Sequence, residues 1–144
     1  YPDGENGGVK IYAISPSVSD DWEQNNESLV LKLTYKGTGF LFTGDIENDV
    51  MKTLKADEIT ADVIQSPHHG SKSSDDKDFY KNTSADCSVI SVGKDNSYKH
   101  PHKEHLDALS ENGIKVFRTD ECGTIHFKVD GKGNIKYKTD GGLQ

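Results

Sequence analysis

Three short segments combine carboxylate and imidazole side chains in a way that suits hydrolytic chemistry. The first is Phe42-Thr43-Gly44-Asp45, where an apolar run feeds into a glycine and then an acid. The second is Pro67-His68-His69-Gly70-Ser71, two adjacent imidazoles behind a proline, again directly after an apolar run. The third is Tyr98-Lys99-His100-Pro101-His102, two imidazoles around a proline just ahead of a helical segment. Imidazole suits borderline divalent metals, and neighbouring histidines can send one ring to a metal and the other to substrate or supporting hydrogen bonds. A histidine–proline corner at a helix start is locally electropositive, fit to receive an anion or to supply a proton near neutral pH. Together the three segments fit a metal-hydroxide hydrolase site: the metal acidifies water, the carboxylate bridges, and an outer histidine protonates the leaving oxygen.

Each segment alone has a plainer explanation. Asp45 reads as a helix N-cap, the His68–His69 pair as an exposed turn, and His102 as a cap or decoration of the following helix. His105, one turn further on, reads as a surface residue. His126, between Ile125 and Phe127 in an alternating run, reads as structural. The recurrence of unusual side chains at three successive strand ends is what favours the chemical reading.

The elements that must position them follow from periodicity. Lys10–Ser15 alternates as a strand, Ser17–Glu27 is a polar loop, and Ser28–Tyr35 turns at Lys36-Gly37 into Thr38–Thr43, a hairpin. Val50, Met51 and Leu54 have the spacing of one helical face and predict a helix over Glu47–Lys55. Ala61–Gln65 is a short strand ended by Pro67. Ser73–Asp76 offers caps for a helix carrying Phe79 and Tyr80. Ser88–Val92 is a buried strand, Gly93–His102 a polar loop, and Lys103–Asn112 a helix stopped by Gly113 with Leu106 and Leu109 inward. Lys115–Arg118, Thr124–Val129 and Asn134–Tyr137 are the closing strands, the last two joined at Asp130–Gly133. Strand–helix alternation predicts an α/β layer, a mixed sheet with helices on one face. A doubly wound receiver-like domain fits less well, because no Gly-rich phosphate loop is present and the closing meander belongs to another class.

Composition narrows the classes further. The 144 residues suit one domain; 32% are apolar, 28% charged, and 14 glycines divide the chain into short elements. No apolar run reaches the length of a membrane helix. The net charge of −7 disfavours nonspecific polynucleotide binding over the whole surface. Between Ser66 and His105, however, six lysines balance six acids, and five of the six histidines fall there. Cys87 and Cys122 are too few for a disulfide framework or a cysteine-rich zinc site, and Cys87 reads as a small buried hydrophobe. The opening Tyr1-Pro2-Asp3-Gly4, with neither initiator methionine nor signal segment, leads us to expect a piece of a longer polypeptide.

The order SLVLKL, FLFTGDIE, ADVIQSPHHGSKSS, ADCSVISVG, YKHPHKEHLDAL, GIKVFRTDECGTIHF resembles the C-terminal half of the metallo-β-lactamase-fold domain of ComEC-type DNA-uptake (competence) proteins and their free-standing relatives. The resemblance runs from about Asn25 to about Phe127. It implies half of an αββα sandwich around a two-metal centre, usually zinc. By that resemblance Asp45 bridges the metals, His69 or His68 is a late ligand with His69 favoured, and His100 and His102 lie at the mouth of the site. It further implies phosphodiester hydrolysis, with DNA-strand degradation during uptake leading, in an extracytoplasmic domain of a membrane protein or a secreted one. The family's HxHxDH motif has no counterpart here, and Ser15-Pro16 is the segment nearest an unfilled ligand position. Too few ligands remain for a stable centre. The chain alone is therefore expected to be inactive and to bind zinc weakly or not at all. Its partners would be the missing N-terminal half, DNA or a small phosphodiester, and a second copy through the exposed sheet face. Two further readings compete: a small-molecule phosphodiesterase like the phosphorylcholine esterases, whose charge requirement −7 suits better, and a noncatalytic assembly module.

Overall fold

A computed structural model describes residues 8–14 and 24–140. Ser15-Pro16, the chain start and most of the loop expected at 17–27 lie outside the described residues; the end of that loop, Gln24–Glu27, is a 3-10 turn.

The longer runs of alternating residues form β1 (Val9–Ile14), β2 (Val30–Tyr35) and β3 (Thr38–Phe42), an antiparallel meander with the expected two-residue turn at Lys36-Gly37. The shorter β-branched runs form β4 (Val63–Gln65), β5 (Cys87–Ile90) and β6 (Lys115–Arg118). These continue the sheet in the order β1-β2-β3-β4-β5-β6, and β3 to β6 run parallel. Parallel neighbours need crossovers, and the helices supply them. They are α1 (Asn48–Met51), α2 (Ala56–Ile59), α3 (Lys77–Thr83) and α4 (Lys103–Glu111). The expected α/β class, mixed sheet and helix-covered face are all present.

Strand side chains alternate between faces, and each face has its own core. Ile14, Val30, Leu41, Ile64 and Ile90 meet Val50, Met51, Phe79 and Leu109 in one helix-covered cluster. On the other face Val63, Cys87 and Phe117 pack with Phe40 and Val89 under a separate hairpin. That hairpin is β7 (Ile125–Val129) and β8 (Ile135–Thr139), entered through α5 (Thr119–Cys122). It covers only the β3–β6 part. Val9, Ile11 and Phe42, on the same face by alternation, remain 43%, 55% and 44% exposed.

Several expectations are corrected. Glu47–Lys55 is not one helix. The Thr53 hydroxyl donates to the Val50 carbonyl at 2.8 Å, the chain turns after Met51, and α2 forms separately, while Val50, Met51 and Leu54 stay buried. His105 is not at the surface. It shares the inward stripe of α4 with Ala108 and Leu109, all three at 0% exposure. His126 is not structural: Ile125 and Phe127 face the sheet, whereas His126 points to solvent, 3.9 Å from Asp140. Cys87 is buried as expected, which pushes its thiol up to about 11, and both cysteines are free. No helix among the described residues is long and apolar enough to cross a membrane.

Candidate functional site

All three segments lie at the C-terminal ends of neighbouring parallel strands, where loops leave a rigid sheet edge. Thr43-Gly44-Asp45 follows β3, Ser66 to Ser71 follows β4, and Ser91 to His102 follows β5. Hydrogen bonds to the main chain stitch them together. The Thr43 hydroxyl donates to the Gln65 carbonyl at 2.9 Å, and the His68 amide donates to the Gly44 carbonyl at 3.1 Å. The His102 amide donates to the Gly70 carbonyl at 2.8 Å, which ties the third loop to the second.

Close approach explains the two glycines. A Cβ on Gly44 would stand 2.8 Å from the Ser28 Cβ, and one on Gly70 only 2.6 Å from that of Pro101. His68, His69 and Gly70 have φ of 47°, 54° and 81°, three left-handed residues in succession. The sequence suggested a turn here; the strained backbone is a finding of the structure, and it directs the two histidine rings apart.

His69 turns toward Asp45, with its Nε2 3.7 Å from the Asp45 Oδ1. Its Nδ1 lies 2.7 Å from the Ser91 carbonyl, which can only accept, so the hydrogen sits on Nδ1. Nε2 is the nitrogen that faces the carboxylate, across a gap that suits a shared cation. A backbone carbonyl fixing one nitrogen so that the other is free is how protein imidazoles are usually held toward metals. Asp45 is not a helix cap. Glu47 holds the N-cap position of α1 without a side-chain cap bond, and Asp45 contributes only its amide, which donates to the Ser28 hydroxyl at 3.1 Å.

His68 turns the other way, its Nδ1 3.0 Å from Glu47 Oε1. The same oxygen accepts from the Ser73 hydroxyl at 3.0 Å. Glu47 is thus a site residue that our reading of the sequence missed; the Asp45-x-Glu47 spacing at a strand end was the available signal. His100 joins the group through its ring, 5.8 Å from that of His68 and 4.8 Å from that of His102 between centroids. Burial holds its pKa below the ordinary imidazole value, reinforced by His102, His68 and His69 and opposed by Asp45. The Asn96 side chain clasps this corner, accepting from the His100 amide at 2.9 Å and donating to its carbonyl at 2.8 Å. His102 holds the N-cap position of α4 but makes no side-chain cap bond there; its Nδ1 instead accepts from the Lys72 amide at 3.1 Å. A cleft of about 500 Å³ opens beside the group, lined by His69, Ser91, Asn96, Tyr98, His100 and Thr119 among others.

Asp45 and His69 therefore fit a divalent cation as a pair of donors, but a pair is not a centre. Among the described residues no group of three or more His, Cys, Asp or Glu is disposed to hold a metal. Catalytic zinc takes three protein ligands.

The arrangement defines a class: an α/β sheet with a carboxylate–imidazole cluster at its parallel strand ends. No family model matches the chain. It is 37% identical over 124 residues to ComE operon protein 3 of Bacillus subtilis (strain 168), covering 83% of the chain and 16% of that protein. It is 31% identical over 123 residues to competence protein ComA of Neisseria gonorrhoeae, covering 83% and 18%. It is 27% identical over 118 residues to recombination protein 2 of Haemophilus influenzae, covering 82% and 15%. The chain is a relative of the ComEC-type competence proteins, and it spans between 15% and 18% of the length of these three.

Proposed function

We propose that the chain is the C-terminal half of a metal-dependent phosphodiesterase domain of the metallo-β-lactamase type, acting on DNA during uptake. The observation that carries this reading is the opposition of His69 Nε2 and Asp45 Oδ1 at 3.7 Å, with the His69 tautomer fixed by Ser91. The competence names of the relatives supply the DNA context.

In this reading Asp45 and His69 hold one side of a centre whose remaining ligands come from the other half of the domain. Divalent ions there, zinc being the best suited to these donors, would acidify water and polarise a phosphoryl oxygen. Glu47 and Ser73 hold His68 away from Asp45, so His68 packs against His100 rather than ligating. His100 and His102 face the mouth and serve the leaving oxygen. His100 is partly desolvated among other imidazoles, so an incoming phosphodiester anion raises its affinity for a proton. The exposed apolar face around Val9, Ile11 and Phe42 receives the missing half, or a second copy in its absence.

In the longer protein that carries this segment, Asp45→Asn and His69→Ala should each abolish hydrolysis of single-stranded DNA. His68→Ala should leave measurable turnover. Unchanged turnover in the first two variants would make the domain a noncatalytic assembly module. Preference for p-nitrophenyl phosphodiesters over DNA would move the substrate to small esters. Calorimetric titration of this chain alone should show weak zinc uptake or none, and tight stoichiometric uptake would refute the half-site.

A further inference from the structure

We infer that His105 is a positioning residue, a buried ring that fastens the roots of all three site loops to one helix. Its Nε2 is 3.0 Å from the Ser66 hydroxyl, two residues before His68. Its Nδ1 is 2.9 Å from the Ser74 carbonyl. The Ser74 hydroxyl in turn donates to the Ile46 carbonyl at 2.8 Å, beside Asp45. His105 itself rides on α4, one turn after His102. One imidazole thus connects the Asp45, His68–His69 and His100–His102 loops from beneath.

The shortest contacts assign the hydrogens in this cluster. The Ser74 carbonyl can only accept, so Nδ1 of His105 carries the hydrogen, and Tyr80 donates its hydroxyl to the same oxygen at 2.6 Å. Nε2 of the neutral ring must then accept from Ser66, whose oxygen pairs with the Ser88 hydroxyl at 2.7 Å. The ring stays uncharged because burial pushes its pKa down to about 4. Ser66 and His105 have the spacing of a nucleophile and its base, but they are only 1% and 0% exposed, so no substrate reaches them. A paired polar cluster beneath the buried stripe of α4 gives one arrangement where a purely apolar contact would allow several. Its bearing on catalysis rests on the hydrolase reading above, while its bearing on loop geometry does not.

The test is nuclear magnetic resonance on this chain. Long-range proton–nitrogen correlations at neutral pH should find His105 protonated at Nδ1 alone; the opposite tautomer or a charged ring overturns the inference. Ring-proton Overhauser effects linking His68 to His100 and His100 to His102 should be present. They should vanish in His105→Leu, return in part in His105→Asn, which keeps a donor toward Ser74, and survive Leu109→Ala, an equally buried change in the same helix. Retention in a folded His105→Leu, or equal loss in Leu109→Ala, also overturns it. If His105→Leu does not fold, Ser66→Ala decides, because it removes only the hydroxyl: loss of the His68–His100 signal supports the inference and retention refutes it. None of these readouts involves a metal or a substrate, so an inactive parent protein would leave them standing. In an active parent, His105→Asn should lower kcat by about 100-fold with little change in KM, as a displacement of about 1 Å would.

Discussion

The two faces of the six-stranded sheet are built from similar side chains and finished very differently. On the helix face Val30, Ile46, Val50, Ile59, Ile64, Ile90 and Leu109 are all at 0% exposure, and polar groups that enter it, such as His105 and Ser66, are hydrogen-bonded. On the opposite face the β7–β8 hairpin seals Val63 and Phe117, but beyond its reach Ile11 is 55% exposed. The pairing of Ile11 with Leu33 and of Leu31 with Phe42 makes this a continuous apolar strip across three strands. The helix layer covers the larger core and the hairpin a smaller one, while the apolar strip beyond the hairpin stays open. The site sits at the strand ends, with its cleft lined by the loops that leave β4, β5 and β6.

Truncations should separate the faces most sharply. Phe79→Ala, under the helices, should cost about 3–5 kcal/mol in urea unfolding, since the cavity cannot collapse. A cost near zero would mean the helix layer is not the stabilising one. Acid should reach the same face next. The folded pKa of His105 lies near 4, below the ordinary 6.5, so the unfolded chain binds the proton first. This contribution to stability is complete above pH 6.5 and is lost as pH falls toward 4. The loss should be about 3 kcal/mol, from about 1.4 kcal/mol per pH unit, and should be absent from a pH series on His105→Asn. Gly70→Ala, at the strand ends, should cost about 1–3 kcal/mol in thermal unfolding through its left-handed backbone and the Pro101 contact. Ile11→Thr, on the open face, should change stability by no more than about 0.5 kcal/mol. It should instead reduce self-association in sedimentation experiments; unaltered association would place the sticky surface elsewhere.

The strands were the most legible part of the sequence, because alternation and β-branching are local signals. β6 occupies Lys115–Arg118, the span its sequence predicts, and Asp76 caps α3 by accepting from the Phe79 amide at 2.7 Å. What escaped depended on side chains acting against their local pattern. Thr53 ended a helix that Val50, Met51 and Leu54 would otherwise have extended. His105 looked polar and therefore exposed, although its spacing to Ala108 and Leu109 is that of a buried stripe. Glu47 looked like the start of a helix, and only the left-handed turn at His68 shows why a carboxylate is needed there. Asp45 and His69 were legible as a pair by chemistry, but the choice between His68 and His69 required the ring directions.

The acceptor that orients His69 is the main-chain oxygen of Ser91, so no exchange of side chain at position 91 can delete it. What can move it is the path of the chain leaving β5, and that path is pinned by Thr119, whose hydroxyl accepts from the Val92 amide and donates to the Val92 carbonyl, both at 2.8 Å. Thr119 therefore helps hold in place the carbonyl that selects the nitrogen offered to Asp45.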